Sequence, residues 1–360
     1  MFSPLTVKRF RAFKRIKRAW YSLIGLGVIF VFCLCADWVC PCDPRAVIDP
    51  ATLEQYRQPV FEETYDIQTV RFNLMDDGTV VDFEGPKDYD EADYVRKEFK
   101  HPGYTRVFLQ PKNPPKVTIR ELPAPEVSFP FRPVKGHPFG IDAGGRDVYA
   151  RVVHGMRIAL LFGLILAASG MFIGLVFGAV EGYFGGKTDI LLQRLTEIWS
   201  AIPFLYVMIF IGSTVGRSFT ILLVCYAIFN WIAVSYYMRA EFLRLRSRTF
   251  VEAAKVQGFS AARIIFGHIL PNGLTPLITL FPFLLMGAIG SLAALDFLGF
   301  GLPPMTPSCG ELMQEAQQFR GAWWLILFPA LALFVVMLLT VLVGEGLRDA
   351  FDPRQKSKLE

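Results

Sequence analysis

The chain has 360 residues, of which 53% are apolar and 19% charged, and a formal net charge of +5. Soluble domains carry about 25% charged residues, so this composition sets aside an ordinary soluble enzyme, a disordered chain and a disulfide-stapled secreted scaffold. Of the 69 Lys, Arg, Asp and Glu residues, 34 lie between Asp43 and Arg151, which leaves the remainder poorer still in charge.

Six stretches carry no charge: Ala19 to Ala36, Ile158 to Val180, Ile198 to Gly216, Ser218 to Met238, Ile269 to Leu295 and Gly321 to Gly344. Each approaches or exceeds the roughly 20 residues that cross about 30 Å of hydrocarbon as a helix. The expected fold class is an all-α membrane protein with six transmembrane helices and a small external insertion containing some β structure. Seven basic residues, from Lys8 to Arg18, precede the first stretch, and no small-x-small cleavage site ends it. That pattern reads as an uncleaved signal anchor. Phe10, Phe13, Ile16 or Lys17, and Trp20 recur near helical spacing among these cations, as an interfacial helix on anionic lipid requires; a solvated basic tail is the alternative.

Lys and Arg in short flanks resist translocation. With the N-terminus inside, segments 1–19, 181–197, 239–268 and 345–360 hold 7, 2, 6 and 4 Lys or Arg, while the two short outer loops contribute only Arg217 and Arg320. Both termini are therefore expected inside. The expected division is a basic cytoplasmic N-terminus at 1–19, a first span at 20–36, an outer insertion at 37–155, a core at 156–345 with an inner loop at 239–270, and a cytoplasmic C-terminus at 346–360. The net positive charge is a topology signal spread along membrane edges and implies no nucleic-acid partner.

Within the insertion, Val70, Phe72 and Leu74 alternate with polar neighbours, Asp77-Gly78 follows, and Val81 and Phe83 resume, which predicts a hairpin with a tight turn. The run Pro111-Lys112-Asn113-Pro114-Pro115 and the prolines at 123, 125, 130 and 133 predict extended chain returning to the membrane. Such a module is a compact lid or docking surface, or else a mobile linker. Cys33, Cys35, Cys40 and Cys42 cluster before it. Cys40 and Cys42 are too close for an unstrained bridge, which leaves buried thiols or a pairing with Cys309.

Gly170, Gly174 and Gly178 recur every fourth residue and line one helix face, where they allow a neighbouring backbone to approach closely. Pro203, Pro276, Pro282 and Pro329 lie in or at the start of other spans and predict kinks. Gly186-Lys187-Thr188 resembles the end of a phosphate-binding loop, but Glu181 stands where that loop needs glycine and no strand precedes it. The four histidines are scattered, with no HExxH, GxSxG or paired CxxC, so neither catalytic residues nor a metal or cofactor site is expected.

The informative stretch follows the fourth charge-free segment. After Arg239, Arg244, Arg246 and Arg248 comes Glu252-Ala253-Ala254-Lys255-Val256-Gln257-Gly258, then Ala261 to Ile269 and Leu270-Pro271. This predicts a helix, a glycine-permitted turn and a second short helix under the membrane, too regular and apolar for a solvated loop. The order Glu252, Ala253, Ala254, Gly258, Ile269-Leu270-Pro271 resembles the EAA loop of bacterial ABC importer permeases, with His268 departing from the general pattern toward the His-Ile-Leu-Pro-Asn of the oligopeptide and dipeptide branch. His137-Pro138-Phe139-Gly140-Ile141-Asp142, Gly145-Arg146-Asp147, Arg151, Gly155, Arg157, Gly182 to Gly186 with Asp189, Leu298 to Gly301 and Gly346 to Pro353 also resemble that branch. The long insertion and the Lys17 to Leu23 entry look most like the Yej-type permeases associated with peptides and microcin C.

The resemblance implies a bacterial inner-membrane permease subunit for peptides or peptide-like compounds. It would pair with a second, different permease, two ATP-binding cassette ATPase subunits that hold ATP and Mg2+, and a periplasmic substrate-binding protein, and would perform no covalent chemistry itself. Glu252, Ala253, Ala254, Gly258 and Arg263 are the expected ATPase-coupling residues. Asn230, Ser235 and Asp296 are candidate path residues, because polar groups are costly in lipid; Asn230 and Ser235 would serve equally as hydrogen-bonding groups between helices. The alternatives are a receptor or assembly subunit that recruits an ATPase without forming the path, and a membrane-embedded enzyme.

Overall fold

The computed structural model describes residues 4–40, 42–56, 60–65, 70–85, 89–112, 117–122 and 126–351. By packing these residues divide into a helical unit, Met1–Asp49 with Ser128–Glu360, and a smaller unit, Pro50–Val127. The small unit is narrower than the 37–155 insertion read from charge, because the residues flanking it at both ends pack with the helices.

Among its described residues the small unit holds six strands: β1 (Val60–Tyr65), β2 (Val70–Met75), β3 (Val80–Glu84), β4 (Tyr94–His101), β5 (Tyr104–Pro111) and β6 (Val117–Leu122). β1 pairs with β6, and the other four form an antiparallel sheet in the order β3-β2-β5-β4. The hairpin expected at Asp77-Gly78 is present as β2 and β3, with Gly78 at φ 84°. Alternation puts Val70, Phe72, Val107 and Leu109 on one buried face with Tyr94. Prolines 114, 115, 123 and 125, read as extended return chain, lie outside the described residues.

The helical unit opens with α1 (Pro4–Arg15), α2 (Lys17–Leu34) and the single turn α3 (Ala36–Val39). Phe13 is buried with Ala19 and Val343, and Trp20 meets Phe10 and Phe13 edge to face. Then come α4 (Val148–Phe184), α5 (Gly186–Ser200), α6 (Phe204–Thr214), α7 (Phe219–Phe229), α8 (Ile232–Arg246), α9 (Thr249–Val256), α10 (Ala261–Ile264), α11 (Leu270–Gly273), α12 (Thr275–Phe297), α13 (Cys309–Gln318) and α14 (Trp324–Phe351). The protein is thus mostly helical with a small β portion. Among the described residues, five helices are long and apolar enough to cross a membrane; a sixth follows if the pair α5 and α6, bent by 64°, counts as one span.

That third span differs most from the sequence expectation. The charge-free run Ile198 to Gly216 is not one helix, because Pro203 takes an extended conformation before α6 and cannot continue the ladder from α5. α4 is longer than its charge-free run: Asp147 caps it, its side chain accepting from the Ala150 N–H at 2.8 Å, so the helix starts ten residues earlier than Ile158. Leu270-Pro271 does not open the fifth span directly. It falls in the short α11, and a break at Leu274 separates it from α12; a π-turn at Ile265–Ile269 precedes it, as expected where Pro271 supplies no N–H and its ring crowds the carbonyl four residues back.

Candidate functional site

The loop singled out by sequence is an elbow between two short helices. α9 turns Val251 and Ala254 inward, and Ile264, Ile265 and Ile269 join them against Val234, Met238, Phe242 and Leu245 of α8, Ala179 of α4 and Leu277 of α12. The three-residue spacing of Val251 and Ala254 is one helix face, so the other face, with Glu252, Ala253, Lys255 and Val256, is exposed. Val256 is 90% exposed and Phe266 64%. The open face thus sets two exposed apolar side chains beside the charges of Glu252 and Lys255.

Gly258 makes the elbow. Its φ of 76° lies in the left-handed region, its N–H bonds to the Lys255 carbonyl at 3.0 Å, and the Phe259 N–H bonds to the Ala254 carbonyl at 3.2 Å. This pair of bonds is a Schellman motif, which closes the carbonyls at the end of α9 and strongly favours glycine. Ser260 then caps α10. Arg263 is exposed and lies over the Phe259 ring at 4.3 Å, and Phe259 stacks on His268 at 5.6 Å. The stack fixes the direction in which α10 leaves the turn.

A seam behind the elbow carries it. Gly170, Gly174, Gly178 and also Gly182 of α4 lie against α8 and the residues just before it, so closely that a methyl group on Gly174 would stand 2.6 Å from the Trp231 carbonyl oxygen, and one on Gly182 2.5 Å from the Phe242 Cβ. The glycine face was legible in sequence; its partner was not. Below the seam Arg239 of α8 grips Asp189 of α5 with two bonds and lies 3.9 Å from the fully buried Glu181. α4, α5, α8 and the elbow are therefore tied together by packing and charge.

Two of the candidate path residues lie at this seam. Asn230 ends α7, and its Nδ2 donates to the Leu166 carbonyl at 3.3 Å. Ser235 is fully buried, with its backbone against Gly174 and Gly178. Asp296, 6% exposed, accepts from the Leu302 N–H at 2.6 Å and from the Ser308 hydroxyl. A second Schellman turn at Gly299, with the Phe300 N–H on the Leu295 carbonyl at 2.9 Å, ends α12 and sets up that contact. Ser308 also caps α13.

At the opposite end of α4 lies a charge network that sequence reasoning found only in part. Arg151 is 1% exposed and contacts Asp142, Glu311 and Glu315, the last at 3.0 Å. Arg146 bonds Asp142 at 2.8 Å and Glu315 at 3.2 Å. Asp142, Arg146 and Arg151 belonged to the motif segments; Glu311 and Glu315 did not. Their spacing of four on a short helix between the last two spans was the available signal. Burial pushes the Glu315 carboxyl above the ordinary glutamate range even with Arg151 beside it. Nearby, Asp37 bonds Arg157 at 2.7 Å, and that guanidinium holds the Asp37 carboxyl below the usual range. All six cysteines, Cys309 included, carry free thiols.

The arrangement joins an exposed elbow, through a glycine seam, to long helices whose far ends are clamped by charge.

Residues 170–357 match the family model described as binding-protein-dependent transport system inner membrane component. The chain is 34% identical over 357 residues to the inner membrane ABC transporter permease protein YejE of Escherichia coli, covering 98% of both chains. It is 44% identical over 216 residues to the peptidoglycan transport system permease protein YejE of Agrobacterium fabrum; this match takes in 60% of the chain and spans only 57% of that relative. The dipeptide transport system permease protein DppC of Alkalihalophilus pseudofirmus is 37% identical over 62% of the chain and 74% of its own length. The chain therefore belongs to the family of binding-protein-dependent transport system inner-membrane components, the permease subunits of ABC importers.

Proposed function

We propose that this permease carries peptides or peptide-like compounds inward across the inner membrane, coupling closure of partner ATPases to alternating access. The observation that carries the coupling role is the Gly258 elbow: α9 is anchored on one face by Val251 and Ala254 and open on the other at Glu252, Ala253 and Val256. A groove on an ATPase subunit would take that open face, with Arg263 positioned by the turn. The rigid connection from the elbow through α8 to α4 transmits the motion, because a packed seam moves as a unit.

In this reading six spans leave both termini in the cytoplasm, with α5 and α6 as one broken span, and residues 37–155 face the periplasm. The subunit pairs with a second, different permease, two ATPase subunits that bind ATP and Mg2+, and a periplasmic binding protein that delivers the cargo. The permease itself hydrolyses nothing. Peptide as cargo is supported by the relatives named for dipeptide and peptidoglycan transport. Asn230, Ser235 and Asp296 act on the path by fixing the helices around it.

Uptake of labelled peptide into proteoliposomes tests this. Permease pair, ATPases and binding protein together should accumulate peptide with ATP. Omission of the ATPases should abolish uptake. Accumulation without this subunit would refute its place in the path.

A further inference from the structure

We propose that Cys42, His137 and Asp147 form a binding site for a borderline-soft divalent cation of the zinc class. Cys42 comes from far along the chain from His137 and Asp147, yet a sulfur, an imidazole nitrogen and a carboxylate oxygen lie within 4.8 Å of one another. Sulfur, nitrogen and oxygen donors together suit zinc, whereas magnesium and calcium take all-oxygen shells. Three protein ligands with water completing the shell is the open tetrahedral arrangement.

The backbone holds each donor in place. Asp147 is 3% exposed and fixed as the cap of α4, its Oδ1 on the Ala150 N–H. His137 sits in a turn closed by two backbone bonds with Val134, at 3.0 and 3.1 Å, and its Nδ1 lies 2.6 Å from Asp147 Oδ2. Cys42 lies between two anchors: the Cys40 N–H on the Ala36 carbonyl at 2.9 Å, and the Ile48 N–H on the Gly145 carbonyl at 2.8 Å. The second anchor ties its segment to the loop that carries Asp147.

The chemistry balances without any further reactant. Binding releases the Cys42 thiol proton to solvent; the thiolate and the Asp147 carboxylate then neutralise the dication, and His137 ligates as the neutral imidazole. Tetrahedral zinc with bonds of about 2.0–2.3 Å separates its ligand atoms by roughly 3.3–3.8 Å. The His137–Asp147 pair must therefore part by roughly 0.7 Å, a side-chain adjustment, while Cys42 draws in. An entry route exists, because Cys42 also lines a cavity of about 610 Å³ together with Cys40, Asp43 and His154. A cation here would join the segment after α2 to the start of α4.

The test is a cobalt titration of the full-length reduced chain in detergent. One equivalent of Co2+ should give a thiolate-to-cobalt charge-transfer band, and Zn2+ should displace it. Cys42→Ser should abolish the band, while Cys225→Ser, in α7, should leave it intact. A second measurement uses only the wild-type chain: Zn2+ should slow alkylation of Cys42 at least tenfold while exposed Cys35 reacts at its former rate. Absence of the band in the wild-type chain, its survival in Cys42→Ser, or unprotected Cys42 would overturn the site.

Discussion

Gly178 and Ser235 face each other so closely that a methyl group on the glycine would stand 2.6 Å from the serine carbonyl oxygen. Lipid tails supply no hydrophobic drive between helices, so such a contact is held by van der Waals packing at short range. It makes α8, and the elbow attached to α8, follow α4.

Gly178→Leu should insert normally but loosen the seam, at a cost of about 1–3 kcal/mol for overpacking. Thermal unfolding in detergent should show a lowered Tm. Gly267→Ala is the control, since no atom lies within 4 Å of a methyl group placed there. Equal Tm values for the two variants would contradict the seam.

Gly258→Val tests the elbow. Nothing lies within 4 Å of a Cβ at Gly258, so the effect is backbone strain at φ 76° and not a clash. The left-handed conformation costs about 1–2 kcal/mol for ordinary residues and more for a β-branched one. Peptide uptake should fall roughly tenfold or more while the protein remains in membranes. Near-normal uptake by well-expressed protein would remove the coupling assignment.

Glu252→Lys should weaken ATPase co-purification without unfolding the elbow, because the side chain is exposed. Reversal near the N-terminus of α9 costs about 0.3–1 kcal/mol from the helix dipole alone. Loss of ATPase beyond that, read by pull-down, measures docking; no loss would place the groove contact elsewhere.

Arg151→Met leaves Asp142 buried beside fewer positive charges, and breaking a buried pair costs about 3–5 kcal/mol. Glu315→Gln reads the same network through pH. The folded protein raises this carboxyl above the ordinary value of 4.5, so it binds more protons folded than unfolded as pH climbs from that value. Its contribution to stability therefore falls as pH rises through the raised pKa. The variant should flatten that part of the Tm–pH curve above 4.5; an unchanged slope would show that Glu315 titrates normally.

Reporter fusions after Pro86 and Pro307 should signal an external location, and those after Ser247 and Pro353 the cytoplasm. Cytoplasmic signal at Pro86 would contradict the orientation. Deletion of Ile48 to Glu121 should leave ATPase association intact, which co-purification from membranes would show.

The sequence alone determined what depends on local pattern. Charge-free length marked the apolar helices, alternation around Asp77-Gly78 marked a hairpin, and glycine after an amphipathic turn marked the Gly258 elbow, because each is set by neighbours within a few residues. Only tertiary structure decided what depends on distant partners. It set Asn230 and Ser235 against the glycine face, joined Glu311 and Glu315 to Arg151, and gathered Cys42, His137 and Asp147. A side chain's chemistry is fixed by its type, but its charge partners and burial come from chain segments whose approach no local spacing records.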